Sequence, residues 1–218
     1  RIPGPDLSRT GQAHSMTGEG KTITGADSVL REKFGTGFLP SWEGLETAGK
    51  GKSAVLVPFF PAESGFRLLL LRRSPNLRHH AGEVCFPGGM REPGDVSPLQ
   101  TALRETEEET AIRAELVEPL SVLSVEYAVV SGVAVFPVAG IVRGIDPDRD
   151  LVLSSGEIQG SVTVPLEDLS PDPVIQTVVI DGKKHCYPEY FLSNGWRIWG
   201  VTGRILYRVL RVLKGGNS

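Results

Sequence analysis

Apolar residues recur along this chain with two different spacings, which together predict a mixed α/β architecture. Alternating or short β-branched apolar runs are typical of strands. They lie at residues 53–60, 66–72, 83–86, 122–127, Val133–Val142, 158–164, Val174–Ile180 and 185–191. Helical spacing is found at residues 26–34, Pro98–Thr110 and Gly200–Leu213. Residues 1–25 hold few large apolar groups, so we expect a disordered tail or an expression remnant there and one domain over residues 26–218.

The segment Pro98–Thr110 is the best-defined helix. Ser97 is suited to cap its N-terminus, Pro98 fits the first helical position, and Gln100 completes a capping box. At about 100° per residue its side chains form two groups. One stripe holds Leu99, Leu103, Thr106 and Thr110. A separate arc holds Glu105, Glu108 and Glu109. The pattern predicts an inner face packed on the sheet and an outer face that carries the carboxylates.

Composition and charge narrow the possible functions. Of the 218 residues, 40% are hydrophobic and 22% are charged, and the net charge is -3, which gives no sign of a nucleic-acid surface. The longest apolar stretch, residues 127–142, is interrupted by serine, glycine and proline, so no membrane span is expected. No secretory signal opens the chain, and Cys85 and Cys186 lack a metal-site spacing. A cytoplasmic protein with reduced thiols is the simplest interpretation.

The cluster of glutamates on the helix is electrostatically unfavourable by itself. Glu105 repels Glu108 and Glu109 across one helical turn, at about 0.2–0.5 kcal/mol per pair. The carboxylates also lie toward the C-terminal end of the helix, where its dipole disfavours negative charge. A solvated acidic face is the simpler alternative, with Arg104 compensating Glu108. Oxygen-only ligands on a rigid helix instead indicate a hard divalent cation, Mg²⁺ or Mn²⁺.

The residues around this helix resemble the Nudix box, a loop–helix–loop motif of the form G-x5-E-x7-R-E-U-x-E-E-x-G-U. The resemblance rests on Gly89, Asp95 and the run RETEEETAI at residues 104–112. Three departures stand out. The stretch from Gly89 to Arg104 is one residue longer, Asp95 stands near the usual first glutamate, and Ala111 replaces the glycine that ends the helix. A tighter or shifted turn is therefore expected at Ala111. The resemblance implies a Nudix-type α/β/α sandwich with a mixed sheet and the loop–helix–loop as catalytic motif.

One Nudix subgroup, the coenzyme A pyrophosphatases, is similar to this chain outside the box as well. The similar segments are LLRRSPNLRHHAGEVCFPGG at residues 70–89, Glu157 before a strand ending in VPL, and WGVT at residues 199–202. The implied reaction converts coenzyme A or acyl-coenzyme A to 4′-phosphopantetheine, or its acyl form, and adenosine 3′,5′-bisphosphate. The alternatives are ADP-ribose, a dinucleotide or a nucleoside triphosphate as substrate, or a Nudix-fold binding module without catalysis.

The resemblance also implies roles for particular residues. Glu105, Glu108 and Glu109 would hold Mg²⁺ or Mn²⁺, and Arg104 would brace these glutamates. Glu105 is the preferred general base, with Glu157 as a further metal ligand or an alternative base. The residues expected to contact the substrate are Arg78, His80, Gly88 and Gly89. Family members often form homodimers, but no pattern in this chain indicates an interface.

Overall fold

The computed structural model describes residues 25–35, 39–170, 172–180 and 182–215. The helices are α1 (Gly25–Phe34), α2 (Pro98–Thr110) and α3 (Gly200–Leu213). The strands are β1 (Gly51–Ala62), β2 (Gly65–Arg73), β3 (Val84–Cys85), β4 (Gly88–Met90), β5 (Val117–Val122), β6 (Glu126–Tyr127), β7 (Val133–Val142), β8 (Ile158–Pro165), β9 (Val174–Ile180), β10 (Lys183–Phe191) and β11 (Arg197–Ile198). The tail predicted at residues 1–25 lies outside the described residues, apart from Gly25.

The main sheet is mixed and has eight strands. Its central path runs β3-β2-β1-β7-β5, and β4, β6 and β8 pair with β1, β7 and β2 respectively. Strands β1 and β7 are parallel, while the other pairs of this sheet are antiparallel. Strands β9, β10 and β11 form a second, smaller antiparallel sheet. The mixed α/β class expected from the sequence is confirmed.

Each face of the main sheet carries its own apolar core, because successive side chains of a strand point to opposite faces. On β1, Leu56 and Phe60 pack into the core on one face, together with Ala102 of α2. Val57 and Phe59 point to the other face, where α1 and α3 cover the sheet. The molecule is therefore an α/β/α sandwich in which α2, of the three helices described, covers one face of the sheet and α1 and α3 cover the other.

Helix α2 forms where the sequence predicts it and is capped as expected. The Ser97 hydroxyl accepts a hydrogen bond from the Gln100 N–H, at 3.1 Å, and Pro98 occupies the first turn. The helix ends at Ala111, whose φ of 59° and ψ of 18° are left-handed. Alanine therefore occupies the conformation that usually favours glycine, and its N–H bonds to the Glu107 carbonyl.

The inner face of α2 differs from the predicted stripe. Leu99 and Leu103 are only half-buried, whereas Thr101, Ala102 and Thr106 are fully buried. The buried threonines Thr106 and Thr110 donate their hydroxyl hydrogens to carbonyls one turn back, so their polar atoms are satisfied. Glu109 also belongs to this face, with 1% of its surface exposed. Placing all three glutamates on an outer arc was therefore wrong for Glu109.

Two strand predictions need correction. The predicted strand at residues 122–127 is two separate elements, since β5 ends at Val122 and β6 begins at Glu126. The rest of β5 was missed because Glu118 and Pro119 break its apolar pattern, and the pairing with β7 shifts register between Pro119 and Ser121. The strand predicted at residues 83–86 is only the two-residue β3.

Directly after Pro87, Gly88 and Gly89 begin the short strand β4, which pairs with β1. Its two glycines gave no strand signal in the sequence. Among the described residues, no helix is long and apolar enough to cross a bilayer.

Candidate active site

Glu109 is the most deeply buried of the acidic residues on α2. One carboxylate oxygen accepts a hydrogen bond from the Gly88 N–H at 2.9 Å, and the other lies 3.6 Å from the Arg73 guanidinium. Burial raises the pKa of Glu109 to about 7, and the charges of Glu105 and Glu157 add to the effect of burial. A buried carboxylate with a pKa this high is a candidate for chemistry rather than for solvation.

Glu105 lies one turn before Glu109 and is partly buried, with 16% of its side chain exposed. Burial raises its pKa above the ordinary value; Arg104 opposes this, and the charges of Glu108 and Glu157 add to it. One Glu105 oxygen lies 3.0 Å from the Arg104 guanidinium. Glu108 and Glu157 thus act on Glu105, and Glu105 and Glu157 act on Glu109, which places the four carboxylates around one region.

Arg104 is held by a network that starts at Asp95. The Asp95 carboxylate accepts hydrogen bonds from the Arg104 guanidinium at 3.1 and 3.3 Å and from the Thr101 hydroxyl at 2.9 Å. The Glu92 N–H donates to the same carboxylate. Burial opposes ionisation of Asp95, but these hydrogen bonds outweigh it and lower its pKa. Asp95 therefore orients Arg104.

Arg104 also makes contacts on its other side. It donates to the Met90 carbonyl at 3.1 Å and to Glu108 at 3.2 Å. The Glu108 side chain is 60% exposed and is held toward α2 by this ion pair. The i,i+4 pairing expected between Arg104 and Glu108 is present in the structure.

Glu157 reaches the same region from the segment before β8. The Ser154 N–H donates to the Glu109 carbonyl at 3.0 Å, and the Val152 N–H donates to the Thr110 carbonyl at 3.1 Å. These bonds attach residues 152–157 to the C-terminal end of α2, where helix carbonyls lack partners within the helix. The Glu157 carbonyl accepts from the Ser74 N–H at 2.7 Å, while its side chain is exposed.

The two glycines of β4 are required by close packing. A Cβ on Gly89 would overlap the Glu105 carboxylate, and a Cβ on Gly88, whose φ is 150°, would overlap the backbone of β1 at Ala54 and Val55. The Gly88 N–H is donated to Glu109. Both glycines thus bring the backbone of β4 against the acidic residues of α2, and contact with a substrate phosphate stays a prediction.

Arg78 and His80 are exposed in the loop between β2 and β3. His80 has a left-handed φ of 56°, and its Nδ1 lies 3.0 Å from Glu83 in the same loop. Among the described residues, no hydrogen bond or ion pair connects Arg78 or His80 with α2. Their role in substrate binding stays a prediction.

Arg73 is the site residue that the sequence did not single out. Arg72 and Arg73 are adjacent, and alternation along β2 allowed only one of them to face the site. The structure selects Arg73, which reaches Glu109, while Arg72 stacks on Trp196 with its guanidinium carbon 5.9 Å from the ring centre. The pairing of β2 with β8 shifts register between these two arginines.

Cys85 lies beside these residues on β3. Burial, followed by the charge of Glu109, raises the pKa of its thiol to about 12. A thiol with so high a pKa is a poor nucleophile at neutral pH. Cys85 and Cys186 are both free thiols.

The donor set of this region fits a hard divalent cation chemically. Its side chains offer only carboxylate oxygens, and these carboxylates raise one another's pKa, which a cation would relieve. As positioned, no three Asp, Glu, His or Cys side chains in the described part of the chain converge tightly enough to chelate an ion. Glu105 and Glu108 both contact Arg104 instead. Binding would therefore require these two carboxylates to turn from Arg104 toward Glu109.

Comparison with known proteins establishes the class. The NUDIX domain family model matches residues 50–178. The chain is 33% identical to Nudix hydrolase 3 of Caenorhabditis elegans over 177 residues, which cover 73% of this chain and 72% of that protein. It is 35% identical over 164 residues to an uncharacterized Nudix hydrolase, NudL, of Pectobacterium atrosepticum, covering 72% and 80% of the two chains. The chain therefore belongs to the Nudix family, and both of these relatives are named as Nudix hydrolases.

Among solved structures, the chain is similar to an Ap4A hydrolase of Caenorhabditis elegans, crystallised as a binary complex. The sequences are 27% identical, the TM-score is 0.44, and the match covers 54% of this chain and 82% of the other. None of the relatives named here is described as a coenzyme A pyrophosphatase. The subgroup therefore stays a prediction.

Proposed function

We propose that the protein hydrolyses the pyrophosphate bond of a nucleoside diphosphate derivative with the help of Mg²⁺ or Mn²⁺. The single observation that carries this proposal is the meeting of two buried or half-buried glutamates, Glu105 and Glu109, with Glu157 beside the glycine strand β4. Such a concentration of negative charge destabilises the free protein unless a cation compensates it.

In the proposed site, Glu105, Glu108 and Glu109 hold the cation, and Glu109 is kept in place by the Gly88 N–H and Arg73. When bound, a divalent cation neutralises phosphate oxygens and lowers the pKa of a water molecule. Arg104, oriented by Asp95 and the Met90 carbonyl, holds Glu105 and Glu108 beside the site until a cation draws these two carboxylates toward Glu109. Arg104 is therefore a positioning residue.

Glu105 and Glu157 are the candidates for the general base. Glu105 lies on the rigid helix, and the raised pKa of its carboxyl favours acceptance of a proton from water. Glu157 is exposed on the segment attached to the end of α2, and its charge acts on both Glu105 and Glu109. The kinetics of Glu105→Gln and Glu157→Gln separate these roles: the base variant loses kcat by about 10²-fold or more, whereas loss of an outer metal ligand mainly raises the required metal concentration.

We propose the general class of nucleoside diphosphate derivatives, rather than coenzyme A alone, because the relatives are named only as Nudix hydrolases. It comprises ADP-ribose, dinucleotides and nucleoside triphosphates. Coenzyme A is the second candidate and is supported by the segment at residues 70–89, which resembles the coenzyme A pyrophosphatases. A panel of these compounds with Mg²⁺ and with Mn²⁺ separates the candidates by kcat/KM. Much faster hydrolysis of coenzyme A than of ADP-ribose or NADH would select coenzyme A, and equal or reversed rates would reject it.

The catalytic proposal itself is tested by replacing Glu108 and Glu109 with glutamine. We expect turnover of every active substrate to fall by at least about 10²-fold, because the cation loses charged ligands. Glu107→Gln is the matched control, since Glu107 lies on the same helix turn but is exposed and makes no ion pair within the described residues. A wild-type protein that hydrolyses none of the diphosphates, while still binding them, would instead favour a non-catalytic binding module.

A further inference from the structure

A second concave site lies between α3 and β10. It is a cleft of about 470 Å³, a size typical of pockets for small molecules. Three arginines on one face of α3 line it: Arg204, Arg208 and Arg211. Their spacing of four and three residues places them on one stripe of the helix. Tyr187 and Tyr207 supply the aromatic part of the wall.

This cleft is separate from the acidic site on α2. The buried side chains of α3 belong to the core on the α1 and α3 face of the main sheet, and those of α2 belong to the core on the other face. None of the residues that line the cleft carries a role in the proposed hydrolysis. A ligand in the cleft would therefore not be the substrate undergoing hydrolysis in the same molecule.

The positive charge of the cleft is only partly neutralised. Glu126, with 5% of its surface exposed, pairs with Arg204 at 2.8 Å and also with Arg208. Arg204 is further fixed by the Tyr127 carbonyl at 2.6 Å. Arg208 is 46% exposed at its side chain, so it retains donors that face solvent. No acidic side chain in the described ranges pairs with Arg211, and three guanidinium groups therefore share one carboxylate.

The aromatic wall is held in place by packing. Tyr187 lies against Trp199, with ring centres 6.2 Å apart, and Tyr207 is half-buried on α3. Aromatic faces stack readily on planar groups, and guanidinium groups recognise phosphate through several parallel hydrogen bonds. An inorganic anion would use only the arginines, whereas a nucleotide could use both kinds of group.

We propose that this cleft binds a nucleoside phosphate, with Arg208 and Arg211 contacting the phosphate and Tyr187 and Tyr207 contacting the base or sugar. Arg204 and Glu126 act as the fixed support for Arg208. The site goes beyond the proposed hydrolysis and stands independently of it, because it uses a different face of the molecule and needs no divalent cation.

Calorimetric titration of AMP into the full chain in EDTA tests the proposal. AMP has no pyrophosphate bond, so it is not consumed by the proposed hydrolysis. We expect AMP to bind the wild type and Arg208→Gln/Arg211→Gln to weaken it by at least about tenfold. Arg113→Gln/Arg149→Gln is the charge-matched control: both residues are largely exposed and lie outside the cleft, and AMP affinity should stay within about twofold.

Each alternative result contradicts the proposal in a different way. Failure of AMP to bind the wild type, or an equal loss in the charge-matched control, would overturn the site. Loss of AMP binding in Glu108→Gln/Glu109→Gln would assign AMP to the acidic site instead. Inorganic phosphate binding as tightly as AMP would exclude a contribution from the tyrosines and overturn the nucleoside phosphate as ligand. Thermal unfolding of each variant verifies the fold, and failure of the hydrolysis experiments would leave this titration unaffected.

Discussion

At the scale of single residues, the buried charge of Glu109 should make the metal-free protein less stable than a variant with an uncharged side chain at this position. The pKa of Glu109 in the fold is about 7, against an ordinary value of 4.5. Between these two pH values the folded state holds a proton that the unfolded state releases, so the free energy of unfolding falls as pH rises through this window. Below pH 4.5 both states are protonated and the penalty vanishes.

Glu109→Gln should therefore stabilise the metal-free protein above pH 7 by about 1–3 kcal/mol. The stabilisation lies at the lower end of this range if the charge of Arg73, which loses its carboxylate partner, is not balanced by another group. Urea unfolding in EDTA at pH 4.5 and pH 8 measures the difference between the two proteins. An equal effect at both pH values would show that the carboxyl does not titrate in this window. The same variant should lose hydrolysis.

Gly89 permits a direct test of how Glu105 is positioned. The Cβ added by Gly89→Ala would occupy the place of the Glu105 carboxylate, and this flexible end can swing aside. We expect hydrolysis to fall by about tenfold or more, since catalytic groups tolerate little displacement, with little change in thermal stability. Gly94→Ala is the control, because no heavy atom lies within 4 Å of its added Cβ. Unchanged kcat/KM in Gly89→Ala would show that the position of Glu105 is not required.

At the scale of elements, α2 combines a favourable start with an unfavourable end. The Ser97 cap and Pro98 define its first turn, but Ala111 ends it with a left-handed residue that has a Cβ. The shifted turn expected from the missing glycine is not observed, because Ala111 takes up the glycine-like conformation itself. The cost of this conformation is about 1–2 kcal/mol for an L-residue.

Ala111→Gly should therefore stabilise the protein by about 0.5–1 kcal/mol, the relief of strain being partly offset by the entropy of glycine. Differential scanning calorimetry should show a rise in Tm of about 1–4 °C for a protein of this size. Ala114→Gly is the matched control: Ala114 is equally exposed but has no positive φ, so glycine there should lower the Tm. A lower Tm in Ala111→Gly would contradict the assigned conformation.

At the scale of the whole molecule, the small sheet has an open edge of unusual composition. Strand β9 pairs only with β10 in the described part of the chain, and it carries no charged residue between Val174 and Ile180. Val174, Ile175 and Val179 are each more than half exposed. Edge strands usually carry charges or prolines that prevent association, so this edge is suited to pair with a second copy of itself.

The sequence does not decide whether the protein forms a homodimer. If it does, we expect the edge of β9 to be the interface. An antiparallel pair centred on Thr177 would place only uncharged residues opposite one another. Light scattering should then give a dimer mass for the wild type and a monomer mass for Val179→Lys, because two lysines would face the same interface. Val130→Lys, 86% exposed in a turn away from this edge, should leave the mass unchanged. A wild-type monomer at all concentrations would reject the interface.

Local sequence determined the bounds and the capping of α2, but not which of its side chains are buried. The capping residues, the i,i+4 pair of Arg104 with Glu108 and the carboxylate cluster depend on spacing along one helix, which the sequence contains. Alternation along a strand is also a local property, but only the structure shows which side chains of β1 enter which of the two cores. Local spacing together with the Nudix resemblance therefore sufficed for the fold class and the acidic helix.

Only the tertiary structure decided what each acidic side chain meets. Spacing shows that Glu105 and Glu109 lie one turn apart, but the burial of Glu109 depends on Gly88 and Arg73, which come from other strands. The arginine cleft on α3 likewise exists because Glu126 and β10 are brought against that helix from distant parts of the chain. The burial and the pKa of a side chain are set by its neighbours in space. The pairing of strands across a sheet also depends on distant segments, so it cannot be derived from the spacing within one segment.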